Sequence, residues 1–442
     1  MSYPVSSIQC LPSWFIGRRR SSQTAGIDLR PSRPGVTLVE MMVVIAVTLI
    51  LMLALTQIFS WLGDSVHSGR SVIEQNAQLR ATAVKIQQDL DGLTVPTLPW
   101  TSSAAGLGYL EIIEGVQRDR DTAVSTATDT TIGDRDDFIA FTARSLGAPF
   151  VGRIYGTLSR NASGQLTIIN PGTSSVIEST LAEIIYWTAE QPVGNVNLYR
   201  RVLLIRPDID VANEAVDNSF FDANDISARL SGGVRVANSL ADLTMRENRF
   251  AHAISGFPFP VLATTLAAAP LALNRLGEDV LLAGVRACDI RVFDPDAPIR
   301  SDGTVALVPT DPGWAPATTV IGQGAYVDMN YMGDTGTPRV SLFSGPPAFK
   351  SGLSTGLPTY DTWSFSYEAN GIDEDDGGAG PFDEGTDGID NDAANGVDDS
   401  GERETSPPYP GALRGLQIKL RVYDATSRNV HQETVTANFI PE

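Results

Sequence analysis

The sequence predicts an α+β protein, with one long N-terminal helix packed on a β-rich antiparallel head. Three observations predict it. Residues 41–62 form an almost wholly apolar run. Val72, Asn76, Leu79, Ala83, Ile86 and Leu90 then recur at spacings of four and three, the stripe of an amphipathic helix. Beyond Pro99-Trp100 the chain changes to short β-like runs among glycines and prolines, the pattern of strands and turns. With 40 Gly and 27 Pro in 442 residues, loops take a large share, while an apolar fraction of 42% suffices for a packed core.

Charge is unevenly placed. The formal net charge is −20, yet residues 1–35 hold Arg18, Arg19, Arg20, Arg30 and Arg33 against Asp28, so that segment carries +4 and the remainder −24. An acidic surface repels phosphates, which argues against a nucleic-acid partner. Only Cys10 and Cys288 are present. A chain without its first 35 residues has one cysteine and no intramolecular disulfide, so its head must be stable through its core.

The helix comes first. Residues 41–62 give about 33 Å of helix at ~1.5 Å per residue, which matches a hydrocarbon core of ~30 Å. Arginines precede the run and Asp64 follows it. That asymmetry keeps the N-terminus cytoplasmic and exports the bulk of the chain. Gly92 and Pro96 close the amphipathic half. The plan is therefore a basic leader over 1–35, a long helix over 36–95 with its transmembrane part at 41–62, and a head over 96–442.

The string GVTLVEMMVVIAVTLILML at residues 35–53 resembles the cleavage and methylation segment of type IV prepilins and type II secretion pseudopilins. In that family a prepilin peptidase cuts after the glycine and methylates the new N-terminal residue. The resemblance implies that Gly35 precedes the cut, that Val36 becomes the methylated first residue, and that Glu40 is the family's fifth-position glutamate. Val36 stands where the family usually has phenylalanine. A carboxylate at the edge of a membrane-spanning helix is costly unless something pairs with it. Cleavage after Gly35 would create an α-amine four residues away on the same helix face, and in the family the glutamate is thought to meet the amine of a neighbouring subunit.

The resemblance further implies a minor pilin or pseudopilin of a type IV pilus or type II secretion filament. Such a protein is anchored by a single pass in the inner membrane, with its head in the periplasm or on the filament. Its partners would be other pilins or pseudopilins through the helix, the prepilin peptidase, and inner-membrane lipid. The alternative is a membrane-anchored extracytoplasmic binding domain that uses the helix only as a tether.

In the head, residues 137–144, 151–158 and 164–170 read as strands. Residues 181–187 and 198–204 form a hairpin across the loop PVGN. That pair resembles strands of the J-type minor pseudopilins and PilW-like minor pilins. Residues 206–279 read as an insertion, with helical composition at 217–230 and 236–249 and a loop-like stretch at 257–276. Strand character returns at 280–293 and is ended by Asp294-Pro295-Asp296-Ala297-Pro298, since proline cannot continue a ladder. Residues 325–330 and 363–367 are short candidates, and 416–423 with 433–439 form a closing hairpin with one wet face.

Residues 370–404 carry 13 Asp/Glu against Arg403, and Asn370-Gly371-Ile372-Asp373-Glu374-Asp375 is echoed 17 residues later by Asp387-Gly388-Ile389-Asp390-Asn391-Asp392. Alternating carboxylates among turn glycines suit a hard cation such as Ca²⁺. The segment resembles the DxDxDG calcium loops of secreted bacterial proteins, and its candidate ligands are Asp387, Asp390, Asp392, Asn395, Asp398 and Asp399, with Glu402 as a substitute. The competing expectation is a solvated acidic loop. No catalytic constellation is legible. His67, His252 and His431 lack metal or nucleophile spacing, and Cys288 lies in an apolar run that suits a core. The expectation is a non-enzymatic protein.

Overall fold

The computed structural model describes residues 35–117, 132–190, 194–262, 278–311, 313–315, 318–333, 339–347, 350, 356–374 and 382–439. The chain divides after Ser65 into two units. Helix α1, Leu38–Asp91, begins in the first and ends in the second.

In the first unit every described residue is exposed, including Val36, Leu53 and Trp61. The apolar stretch is long enough to cross a membrane and none of its strongest window is buried. Its threonines are satisfied internally: Thr48 Oγ1 donates to Val44 O at 2.9 Å and Thr56 Oγ1 to Met52 O at 2.8 Å. That is what an apolar surrounding requires of hydroxyls.

The second unit starts at Val66. Here α1 becomes one-sided, burying Leu79, Thr82, Ala83, Ile86, Asp89 and Leu90. It stops where Gly92 admits the neighbouring chain. A Cβ at Gly92 would lie 2.3 Å from Arg144 O, while Gly92 O accepts from Arg144 N at 2.7 Å.

The strands that follow are β1 (Leu110–Ile113), β2 (Phe138–Arg144), β3 (Phe150–Arg160), β4 (Leu166–Ser179), β5 (Leu181–Glu190), β6 (Val196–Leu204) and β7 (Ile209–Asp210). Short helix α2 (Ser219–Ala223) precedes the hairpin β8 (Ala228–Ser231) and β9 (Val234–Ala237). Then come β10 (Glu278–Leu282), β11 (Val285–Ser301), β12 (Ala306–Leu307), β13 (Thr319–Val327), β14 (Thr359–Asp361), β15 (Gly415–Asp424) and β16 (Asn429–Asn438). One antiparallel sheet has the order β10-β6-β5-β2-β1-β14, and a second has β12-β11-β15-β16 with β13 also on β11. Smaller sheets join β3, β4 and β7, and β8 with β9.

The six-stranded sheet is covered on both faces. Ala182 to Trp187 are all buried, and alternate residues of a strand point to opposite faces. On one face Tyr186 OH donates to Asp89 Oδ2 at 2.5 Å and Arg200 Nε reaches the same oxygen at 2.7 Å, seating α1. On the other, Glu183 accepts from Tyr109, Ser227 and Phe250. A buried ionic knot completes that side. Arg246 and Arg249 both reach Glu111 and Asp361, and His252 Nε2 lies 2.8 Å from Glu111 Oε2. The other ring nitrogen of His252 faces Phe250 O at 3.0 Å.

The hairpin expected over 181–204 is present, with Trp187 opposite Tyr199, and the closing hairpin is β15–β16. Four readings are corrected. The helical composition at 217–230 and 236–249 yields one five-residue helix, a hairpin and two 3-10 turns. Arg235, Arg246 and Arg249 are tied there to carbonyls or buried carboxylates, so tertiary bonds override local propensity. The run 280–293 is two strands in different sheets, separated at Gly284, whose φ is 68°. Pro295 and Pro298 do not end β11. They fall where its pairing with β13 shifts register, a bulge where no ladder N–H is needed. Residues 363–367 are no strand. A 3-10 helix spans Phe365–Ala369, with Ser364 Oγ accepting from Ser366 N. Residues 263–276 of the loop-like 257–276 reading lie outside the described residues.

Candidate functional site: the helix start and two carboxylate clusters

Gly35 and Val36 precede the first turn of α1, and Thr37 is its N-cap. Thr37 N donates to Glu40 Oε2 at 2.9 Å, Thr37 Oγ1 donates to the same oxygen at 3.0 Å, and Glu40 N donates to Thr37 Oγ1 at 3.2 Å. This reciprocal bonding is a capping box. Thr-Leu-Val-Glu therefore carries a helix-starting message, legible as T-x-x-E, beside the expected assembly role of the glutamate. Glu40 starts the helix as well as charging its end. Thr37 is the residue that the motif reading passed over.

In the acidic loop, Asp390, Asp392 and Glu402 bring one carboxylate oxygen each within 4.8 Å of one another. The other candidate ligands hold the loop's own backbone. Asp387 Oδ1 accepts from Ile389 N, Asp398 Oδ1 from Gly388 N, and Asp399 Oδ1 from Gly401 N. Asn395 turns the chain at φ 60°. Glu402, buried, accepts from Asn391, Asp392 and Asp399 N–H groups. At the loop's base, burial pushes the Glu374 carboxyl up to about 8, with neighbouring Glu404 and Glu368 adding to the rise.

A second group is buried and drawn from either side of the β1–β2 connection. Glu114 follows β1, Asp134 and Asp137 precede β2, and their oxygens also lie within 4.8 Å of one another. The segment before β2 runs beside β11: Gly133 N donates to Arg286 O and Cys288 N to Asp134 O, both at 2.8 Å. Asp137 then replaces a backbone acceptor, taking Gly115 N on Oδ1 at 2.9 Å and Ile290 N on Oδ2 at 2.6 Å. Glu114 Oε2 takes Met329 N at 3.0 Å. The cluster thus stands where the two large sheets meet. Asp289 and Asp328 flank it, paired with Lys419 and Arg291. Burial, then the neighbouring carboxylates, drives Glu114 and Asp137 well above the carboxylate range and pushes Asp134 up to about 12. No local spacing announced this group, because β1, β2, β11 and β13 had to assemble first.

Residues 30–56 match the family model described as the prokaryotic N-terminal methylation motif. No curated protein and no solved structure matches the chain. The matched motif followed by a long apolar helix fits a pilin or pseudopilin. It implies processing by a prepilin peptidase and association with other pilins.

Proposed function

We propose that this chain is a minor pilin or minor pseudopilin, cut after Gly35, that enters a type IV pilus or type II secretion filament through α1. The observation that carries the reading is the wholly exposed apolar stretch beginning directly at the capped Thr37-Leu38-Val39-Glu40 turn. Such a surface needs lipid or neighbouring helices around it, since a soluble monomer rarely leaves so large an apolar patch bare. The chain sits in the inner membrane by a single pass, N-terminus inside, with the head in the periplasm or on the filament. The head works as a non-enzymatic assembly or recognition module. Its buried Arg246, Arg249, Glu111 and Asp361 are held in ion pairs that suit a scaffold.

The helix cap suggests the test. Glu40→Gln keeps a capping-box side chain and removes the charge, whereas Glu40→Val removes both. Each variant is expressed in the native host, and cleavage and recovery in the sheared filament fraction are measured. Cleavage should persist in both, while filament recovery falls at least tenfold in both. Wild-type recovery of Glu40→Gln would show that the carboxylate serves only the cap and would sink the assembly role.

A further inference from the structure

We propose that Glu114, Asp134 and Asp137 form a buried binding site for a hard divalent cation of the calcium class, which ties the loop after β1 to the segment before β2 where the two large sheets of the head meet. The inference stands apart from the filament reading and from the acidic loop.

Three observations carry it. First, each of the three residues offers a carboxylate oxygen, and these oxygens lie within 4.8 Å of one another in the interior. Oxygens around a cation held at about 2.3–2.6 Å must be that close. Second, Glu114 is 1% exposed, and its Oε1 has no hydrogen-bond partner although Oε2 is engaged by Met329 N. An orphaned buried carboxylate oxygen is costly, and a cation is the partner it lacks. Third, the surrounding charges are already matched. Asp289 pairs with Arg291 and Lys419, and Asp328 with Arg291, while among the described residues neither Glu114 nor Asp137 has an ion-pair partner. Packed like charges need a cation or protons to coexist.

The local backbone is shaped to present these groups. Gly115 N–H holds Asp137, and a Cβ at Gly115 would meet Asp136 Oδ1 at 2.0 Å. Asp136 in turn takes Val116 N at 3.0 Å. All-oxygen donors favour calcium over zinc or copper, which prefer nitrogen and sulfur. Cys288, the head's one cysteine, cannot form an internal disulfide there. A cation joining the loop after β1 to the segment before β2, which itself bonds to β11 through Cys288 N and Ile290 N, supplies a cross-link of another kind.

The test uses the full chain in detergent micelles, stripped with chelator, dialysed, then titrated with calcium. The loop site is removed by the double variant Asp390→Asn, Asp392→Asn. That variant should still bind one equivalent of calcium and melt about 5 °C higher at ~100-fold excess over Kd than in chelator. Adding Glu114→Gln, which keeps an acceptor for Met329 N, should abolish that equivalent. The loop double variant binding no calcium and melting equally with and without it would overturn the proposal. So would Glu114→Gln leaving the bound equivalent in place. Where Glu114→Gln fails to fold, the stoichiometry of the loop variant alone still decides.

Discussion

Two stretches of α1 are written in different chemistry. Residues 38–65 are apolar on every side and exposed throughout, with hydroxyls turned back onto their own carbonyls. From Val66 onward the same helix is polar on one side, and its other side buries Leu79, Ala83, Ile86 and Leu90 together with the paired Asp89. The first stretch has no use for an interior within this chain, whereas the second is part of one. A helix that serves as a handle and a helix that serves as a core element can thus be told apart by where their polar groups find partners.

The largest expected effect tests the core stretch. Asp89→Ala leaves Arg200 buried beside Tyr186 without its main partner, and should cost about 3–5 kcal/mol by denaturant midpoint. Ile86→Ala, in the same packed face, should cost about 2–5 kcal/mol. Thr37→Ala should weaken the helix start by about 1 kcal/mol. Amide exchange should speed at residues 38–41 without any change in head unfolding. Leu53→Ala should leave head unfolding within ~0.5 kcal/mol while reducing membrane or filament retention. A large loss of head stability from Leu53→Ala would erase the distinction between the stretches.

Acid titration separates them too. Glu374 has a folded value of about 8 against an ordinary 4.5, so the folded state holds a proton that the unfolded chain releases. Its contribution is fully present below about 4.5 and is lost as pH rises through about 8. The loop base in the wild type should loosen across that window by amide exchange, Glu374→Gln should flatten the change, and residues 38–65 should not respond.

The handle was legible in the sequence because its chemistry is local. Gly35, Thr37 and Glu40 lie within six residues, and the apolar run follows them directly. The β5–β6 and β15–β16 hairpins were legible for the same reason, since their partners are adjacent in the chain. The stretch 217–249 misled because its arginines suit a helix when alone but are claimed by distant groups such as Asp361. The buried carboxylates stayed hidden because Glu114, Asp137 and Asp289 have no shared period; they meet only through sheet pairing. The acidic loop showed the converse. Its repeat drew attention to six candidate ligands; Asp390 and Asp392 converge with Glu402, while Asp387, Asp398 and Asp399 also hold the turns.

The central claim is that the segment at Gly35 is a processed handle, and intact mass with N-terminal fragmentation of the protein from its native host tests it most directly. A processed handle gives a chain that begins at Val36 carrying one added methyl group on its amine. A chain that retains Met1, or one that begins beyond residue 62, would contradict it.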